Sequence, residues 1–239
     1  MEILKYVLLV IGGYLLGNVS GAKIISKLRK DDITKHGSGN PGSMNMLRTF
    51  GFKWGLLTLV FDAIKGAIPS LVGFYIFGGD FSVVSYVGLY VGGLSAVIGH
   101  CFPVFYKFKG GKGVATMLGM FAVAEPYWAL IMFGVCFIYL LIFDYGALTS
   151  FLFITALTMV EAIKFRGQLV ISILLFISYF LVWFMHRQNI VRLLLGKENK
   201  VNFLDKLKKI GKGKEKVPKT EKKQLKKQEK ENKKEREIG

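Results

Sequence analysis

The stretch SYVGLYVGGLSAVIGHCFPVFYKFKGGKGVATMLGMFAVA, residues 85–124, shows the pattern that decides the fold. An apolar segment at about 83–105 leads into a short loop of lysine and glycine, after which a second apolar segment begins at once. Most of the apolar segments approach the roughly 20 residues that an α-helix needs to cross about 30 Å of hydrocarbon. The sequence therefore predicts an all-α, polytopic integral membrane protein. The other apolar segments lie at about 4–26, 54–78, 127–143, 147–164 and 168–185.

The segment at 114–124 decides the number of crossings. It is too short to cross alone and is followed by Glu125 and Pro126, so one kinked helix over 114–143 and two short helices are both open. Seven crossings would place three basic segments on one side of the membrane, whereas six would leave the last of them on the other. The positive-inside rule therefore favours about seven transmembrane helices, with the amino terminus outside and the carboxyl terminus in the cytoplasm.

Charge and apolar residues are segregated along the 239 residues, of which 52% are hydrophobic although the net charge is +17. This distribution predicts a transmembrane domain at 1–198 and a basic, Lys/Glu-rich cytoplasmic tail at 199–239, either disordered or a charged helix. The two cysteines, Cys101 and Cys136, lack metal-type spacing and are expected to be small core residues. No metal site and no cofactor are expected. The first apolar segment has no A-x-A cleavage site and is expected to be a retained helix.

GSGNPGSMNMLRTFG, residues 37–51, is the first segment that could carry chemistry. Its glycines allow close backbone approach, its amide and hydroxyl side chains offer neutral hydrogen bonds, and its arginine is a forked cation. This composition suits an anion site, with an ordinary polar turn as the alternative. The candidate ligands are Gly37, Ser38, Gly39, Asn40, Asn45 and Arg48.

The loop KGGKG, residues 109–113, is the second such segment. It leads directly into a helix beginning near Val114, and backbone NH groups at a helix start beside a lysine form a natural phosphate cradle. The spacing of a Walker A loop is absent, so ATP hydrolysis is not expected. The candidate ligands are Lys109, Gly110, Gly111, Lys112 and Gly113.

HRQNIVRLLLGKE, residues 186–198, is the third segment that could carry chemistry. On a helix His186 and Asn189 would share a face, and a histidine there could position or protonate a phosphate. A basic juxtamembrane helix that faces anionic lipid remains an equal alternative. Arg187 and Arg192 are further candidates for binding an anion.

Two pairs of ionisable residues fall within predicted spans, each three residues apart. Asp62 with Lys65 and Glu161 with Lys164 are expected to form local ion pairs, because a charge at membrane depth is costly unless it is paired. The first pair is the better functional candidate because it closely follows the first polar segment.

Together the three segments resemble the PlsY family of bacterial acyl-phosphate:glycerol-3-phosphate acyltransferases over about residues 1–198. The family patterns look like G-S-G-N-x-G-A-T-N-x-x-R, then G-H-x-F-P with F-K-G-G-K-G-V-A-T, then H-R-x-N-I-x-R-L-x-x-G-x-E. The second is intact from Gly99 to Thr116 and the third from His186 to Glu198. In the first, Ser43 and Met44 replace the usual alanine and threonine. In YGALTS, Ala147 replaces a serine and Ser150 remains as a candidate ligand.

The resemblance implies transfer of an acyl group from acyl phosphate to the 1-hydroxyl of glycerol 3-phosphate, giving lysophosphatidic acid and phosphate at the cytoplasmic face of a bacterial cell membrane. It implies membrane lipid as a further partner and no nucleic acid, and leaves the oligomeric state open. Catalytic roles are expected for Ser38, Arg48, Lys112, His186 and Asn189, and a structural role for Glu198. Substrate or phosphate binding is expected for Gly37, Gly39, Asn40, Asn45, Lys109, Gly110, Gly111, Gly113, Thr116, Ser150, Arg187 and Arg192.

Two other classes of function remain as alternatives. A transporter for a phosphorylated metabolite would also gather cations at a membrane cavity, but the opposite loops carry almost none. A scaffold that recruits partners through its basic tail would leave the lysine-glycine loop without a role.

Overall fold

The computed structural model describes residues 1–204, and within that range it contains helices and loops but no strand. The residues from 205 onward, which hold most of the expected basic tail, lie outside the described part of the chain. Two short 3-10 helices, Ile33–Lys35 and Val104–Tyr106, lie in loops. The α-helices are α1 (Glu2–Asn18), α2 (Gly21–Leu28), α3 (Ser43–Phe50), α4 (Phe52–Ile76), α5 (Val83–Cys101), α6 (Val114–Ala124), α7 (Pro126–Phe143), α8 (Gly146–Lys164), α9 (Leu169–Met185) and α10 (Arg187–Leu194).

Five helical segments in residues 1–204 are long and apolar enough to cross a membrane: α1 with α2, α4, α5 with its following turn, α7 and α8. A sixth span results if α9 and α10, which bend by 54° at their junction, are taken together. The all-α, multi-span organisation is thus confirmed, whereas the count of seven and the direction of the amino terminus stay predictions.

Residues 114–143 form two helices. They break at Glu125, and Pro126 takes the first position of α7, where its missing NH costs no hydrogen bond. Helix α6 has 11 residues, which corresponds to about 16 Å and therefore to about half of the hydrocarbon thickness.

Helix α6 is held directly against α4 by small residues. A Cβ atom at Gly119 would lie 1.8 Å from the carbonyl oxygen of Ala63, and one at Gly66 would lie 2.0 Å from that of Thr116. The two backbones are therefore in contact, as small residues allow in membrane helices. This crossing fixes where α6 begins, and so fixes the loop that precedes it.

The core lies between α5, α6, α8 and α9. Tyr90, Phe121 and Leu157 are among its fully buried side chains. Cys101 and Cys136 are buried free thiols within it, which confirms their interpretation as core residues.

The two expected ion pairs have different outcomes. Lys65 Nζ lies 2.9 Å from Asp62 Oδ1, so that pair is confirmed. The pair of Glu161 with Lys164 is wrong, because Lys164 contacts Glu125 and donates to the hydroxyl of Tyr86 at 3.0 Å. Lys164 ends α8 and is 38% exposed, so extending towards the α6–α7 turn keeps its ammonium group near solvent, whereas Glu161 is fully buried.

The compact unit continues past Glu198, the expected domain boundary, and ends at Phe203. Val201 and Phe203 are buried in it.

Candidate active site

One end of the helix assembly encloses a cavity of about 340 Å³. Residues from all three polar segments line it, together with the start of α8. The sequence-predicted residues in its lining are Asn40, Arg48, Lys112, Gly113, Ser150, His186, Asn189 and Glu198.

A chain of hydrogen bonds joins the second and third segments at this cavity. Lys112 Nζ donates to Asn189 Oδ1 at 2.5 Å, and Asn189 Nδ2 donates to Glu198 Oε1 at 2.7 Å. The other carboxylate oxygen of Glu198 accepts from Arg192 Nε at 2.9 Å. Lys112 and Glu198 thus hold the Asn189 side chain from two sides, and Asn189 in turn orients the ammonium group of Lys112. Arg192 supports this chain from outside the cavity lining.

Lys112 has an ammonium group whose pKa lies near the physiological range. Burial lowers the pKa of its ammonium group to about 8, while Glu198 opposes this shift and the cations Arg192 and Arg48 add to it. The amine is therefore mostly charged at neutral pH, and an incoming phosphate would favour the charged form further.

His186 caps the end of α9 and lines the cavity. Its Nδ1 lies 2.8 Å from the carbonyl oxygen of Val182, and since a carbonyl can only accept, Nδ1 carries the proton. In the neutral ring Nε2 is then an acceptor. The imidazole packs beside Phe151, with the ring centroids 5.2 Å apart, and is 3% exposed, so its orientation is fixed.

Arg48, on α3, reaches the carboxyl-terminal end of the compact unit. Its Nη2 donates to the carbonyl oxygen of Asn199 at 2.9 Å and its Nε to that of Lys200 at 3.2 Å. Burial lowers the pKa of the guanidinium, but arginine stays protonated in proteins. Two of its five N–H donors are used in this way, which leaves the others for an anion in the cavity.

Asn45 ties the first loop together. Its Nδ2 donates to the carbonyl oxygens of Ile33 and His36 at 3.3 and 3.0 Å, and its Oδ1 accepts from the backbone NH of Ser38 at 3.1 Å. The side chain is buried and lies outside the cavity lining, as do Ser38, Gly37 and Gly39. The structure therefore uses this amide to shape the loop that carries Asn40.

The glycines of the second loop are required by His100. A Cβ atom at Gly111 would lie 2.1 Å from His100 Nε2, and one at Gly110 would lie 2.0 Å from the carbonyl oxygen of His100. That oxygen also accepts from the backbone NH of Gly111 at 3.1 Å. The sequence predicts that these glycines approach an anion, whereas in the structure they approach the end of α5.

The amino-terminal end of α6 faces the cavity instead. Gly113, Val114 and Ala115 are in the lining. The first NH groups of a helix have no intrahelical acceptor and favour an anion. Thr116, the next residue of α6, is fully buried behind this wall.

Of the remaining predicted residues, Lys109 and Arg187 lie outside the cavity lining. Lys109 is exposed, and its carbonyl oxygen accepts from Lys23 Nζ at 3.3 Å. The Arg187 guanidinium lies 4.4 Å from the ring of Phe184. Ser150 lines the cavity, although its hydroxyl donates to the carbonyl oxygen of Gly146 at 2.8 Å.

Asp62, a member of the charged pair that the sequence marks as the better functional candidate, lines the cavity, as does His100, which the sequence does not single out. Lys65 pairs with Asp62 and donates to the carbonyl oxygen of Val19 at 2.9 Å, while His100 Nδ1 lies 3.8 Å from Asp62 Oδ1. The sequence feature that points to Asp62 is a carboxylate within an apolar span.

The rest of the lining is mainly apolar and comes from α4, α6, α7 and α8. Sequence reasoning did not find these residues, since nothing distinguishes them from ordinary membrane-facing or core positions. They include Leu56, Leu59, Leu118, Phe133, Cys136, Phe137, Leu140 and Phe153. The cavity thus has a cationic end and an apolar side.

Comparisons with known proteins find relatives over most of this chain. Residues 7–196 match the glycerol-3-phosphate acyltransferase family. The glycerol-3-phosphate acyltransferase of Finegoldia magna is 39% identical over 202 residues, covering 84% of this chain and 98% of that protein. That of Aquifex aeolicus is 38% identical over 199 residues, covering 82% and 100%. The crystal structure of PlsY (YgiH), an integral membrane glycerol 3-phosphate acyltransferase, in its glycerol 3-phosphate form is similar at 36% identity and a TM-score of 0.74, covering 82% of this chain and 94% of that one.

Proposed function

Because the chain belongs to the glycerol-3-phosphate acyltransferase family, we propose that it transfers the acyl group of an acyl phosphate to the 1-hydroxyl of glycerol 3-phosphate. The products are lysophosphatidic acid and inorganic phosphate. A solved relative is described in both a glycerol 3-phosphate form and a lysophosphatidic acid form, which supports the acceptor and the product.

One observation carries the proposal: a single cavity combines a cationic end with an apolar side. Lys112 and Arg48 lie at the cationic end and can neutralise phosphate groups on both reactants. Helices α4 and α7 supply apolar side chains, which suit the hydrocarbon chain of the donor. A transporter of a polar phosphorylated metabolite would not need the apolar side, and a scaffold that acts through its basic tail would leave the cavity without a role.

The chemistry needs positioning more than a protein nucleophile, because an acyl phosphate is already activated. His186 Nε2 accepts a hydrogen bond from the 1-hydroxyl and orients its oxygen towards the acyl carbon. The hydroxyl oxygen forms a bond to that carbon as its proton moves to His186 Nε2, the carbon–oxygen bond to phosphate breaks, and the imidazolium returns the proton to the departing phosphate. Arg48 and the start of α6 stabilise the charge that develops on the departing phosphate, while Lys112 holds the phosphate of glycerol 3-phosphate.

Glu198 and Asn189 act by holding these groups in place. The carboxylate binds Asn189 and Arg192 at once, and Asn189 in turn aims Lys112. Lys112 can therefore meet a phosphate without first being ordered, which reduces the cost of binding.

We also propose that the site faces the cytoplasm of a bacterial cell. The three basic segments gather at the cavity end of the assembly, and basic segments favour the cytoplasmic side. Both reactants would be delivered to this face of the membrane.

The donor is tested by offering the purified protein, in detergent, glycerol 3-phosphate with either hexadecanoyl phosphate or hexadecanoyl-CoA. We expect lysophosphatidic acid and inorganic phosphate in equal amounts from the first mixture and little product from the second. Lys112→Ala, in which weaker binding of glycerol 3-phosphate is expected, serves as the control of reduced activity. A clear preference for the CoA thioester would contradict the proposed donor while leaving the family assignment intact.

A further inference from the structure

Residues 199–203 form a short segment that we call the carboxyl-terminal strap. It begins beyond residue 196, where the match to the family ends. It belongs to the compact unit, and Val201 and Phe203 are 0% and 5% exposed. The strap is therefore a packed part of this chain that the family match does not cover.

Asp144 holds the strap through three successive backbone NH groups. Its carbonyl oxygen accepts from Val201 at 2.9 Å, its Oδ2 from Asn202 at 2.9 Å and its Oδ1 from Phe203 at 3.2 Å. Asp144 lies between α7 and α8 in the left-handed conformation, with φ 61°. One residue at the junction of two helices thus anchors the distal part of the strap.

Arg48 holds the proximal part through the carbonyl oxygens of Asn199 and Lys200. Because Arg48 and Glu198 both line the cavity, the strap runs directly from the cationic end of the site. Its position is therefore set by groups that belong to the site.

Phe203 ends the strap as a bridge between α4 and α7. Its ring lies 5.8 Å from that of Phe52, which begins α4, and 5.5 Å from that of Phe137 on α7, both edge to face. All three rings line the cavity. Such aromatic pairs attract each other beyond the area that they bury, so the ring is held firmly.

The cavity walls beside Phe203 also reach the outer surface of the helix assembly. Leu56 on α4 and Phe137 on α7 line the cavity and are 43% and 40% exposed. Side chains that line the cavity and are also exposed place its wall at the outer surface of α4 and α7, and we infer from them a lateral opening towards the hydrocarbon. Phe203 spans the two helices at this opening.

We propose that Phe203 is a specificity-determining residue that limits the width of the donor's acyl chain where the chain passes between α4 and α7. This rests on the proposed function, in which the apolar side of the cavity takes that chain. Asp144 is then a positioning residue, which acts by holding Phe203 through the strap. Straight chains fit under the ring, and chains with a methyl branch are disfavoured.

The test compares kcat/KM for straight-chain and methyl-branched acyl phosphates of equal carbon number. Phe203→Ala is expected to raise the branched-to-straight ratio by about fourfold, which corresponds to about 0.8 kcal/mol for one accommodated methyl group. Phe203→Trp should lower the same ratio. The KM for glycerol 3-phosphate should stay within about twofold of wild type, since the ring does not reach the cationic end. Leu204→Ala, at the exposed neighbouring position, is the matched control and should leave the ratio unchanged.

The branched-to-straight ratio in Asp144 variants is a second measurement, which a purely structural role of Asp144 would not change. Asp144→Ala should raise the branched-to-straight ratio in the same direction as Phe203→Ala. Asp144→Asn, which keeps one side-chain acceptor, should restore part of the wild-type preference. If Phe203→Ala is too unstable to purify, Phe203→Leu and Phe203→Trp provide the same comparison.

The outcomes separate the inference from the proposed function. If the wild type uses acyl-CoA, the proposed donor fails, and the ratio is measured with branched and straight acyl-CoA instead, because either donor carries the chain. Folded Phe203 variants with the wild-type ratio would overturn the role of Phe203. So would an equal shift in Leu204→Ala.

Discussion

Replacing Lys112 by arginine should change the shape of the pH dependence of catalysis. In the free protein burial lowers the pKa of Lys112 to about 8, so the amine loses its charge as the pH rises through that value. If only the charged form binds phosphate, kcat/KM for glycerol 3-phosphate should fall above pH about 8. One pH unit above that pKa, only about a tenth of the protein would remain competent.

Lys112→Arg should remove this fall in kcat/KM at alkaline pH, because a guanidinium stays protonated over the same range. Its absolute activity should be lower than that of the wild type, since the fork does not reproduce the single bond from Lys112 Nζ to Asn189 Oδ1. The informative quantity is therefore the ratio of kcat/KM at pH about 9 to that at pH about 7, taken within each protein.

The profile of kcat provides an internal check. It reports the complex, in which a bound phosphate favours the charged amine, so its alkaline limb should lie at higher pH than that of kcat/KM. An unchanged alkaline limb in Lys112→Arg would refute the assignment of this titration to Lys112.

Gly111→Ala should lower the thermal unfolding temperature in detergent, because the added methyl would lie 2.1 Å from His100 Nε2 and overpacking costs about 1–3 kcal/mol; a change confined to the KM for glycerol 3-phosphate, with normal stability, would instead favour direct contact with the anion. His186→Ala should reduce kcat by about a hundredfold or more, since it removes the acceptor for the hydroxyl; single-turnover rates within a few-fold of wild type would contradict that role. Asp62→Asn should destabilise the protein by about 3–5 kcal/mol, because it leaves the Lys65 ammonium buried without its carboxylate. The double change with Lys65→Met should recover much of that loss, as unfolding measurements can show, and a single variant as stable as wild type would exclude the buried pair.

Composition along the chain was sufficient to predict the membrane helices and to find the three polar segments. Apolar runs of nearly spanning length indicate membrane helices. Glycine, amide and cationic residues together in one short loop indicate an anion site. Lys112, His186 and Asn189 accordingly lie where the segments meet. The helix count was harder, because α6 is apolar but only 11 residues long.

The division between ligand and framework could not be predicted from residue types. Asn45 and Asn189 are both amides in polar segments, yet Asn45 closes a loop on backbone groups while Asn189 binds Lys112 at the cavity. Gly111 has the same ambiguity, since glycine permits close approach to a side chain as well as to an anion. For Gly111 the position of His100 shows that the close neighbour is a side chain.

The apolar side of the cavity was not predictable either. Phe137 and Phe203 are far apart in the sequence, and each is an ordinary aromatic residue in its local context. Their contact depends on Asp144, which binds the strap from the junction of α7 and α8. Lys164 illustrates the same limit, because its partner Glu125 comes from another helix boundary and not from the residue three positions away.

The most direct test of the account is the affinity of the purified protein for glycerol 3-phosphate, measured by titration calorimetry at neutral pH. Lys112→Ala is expected to weaken binding by about tenfold to a hundredfold, as loss of a charge-assisted hydrogen bond would. Lys109→Ala removes the same charge from the same loop, at an exposed position outside the cavity, and should bind as the wild type does. Equal losses in the two variants, or no loss in Lys112→Ala, would contradict the claim that this cavity holds the phosphate.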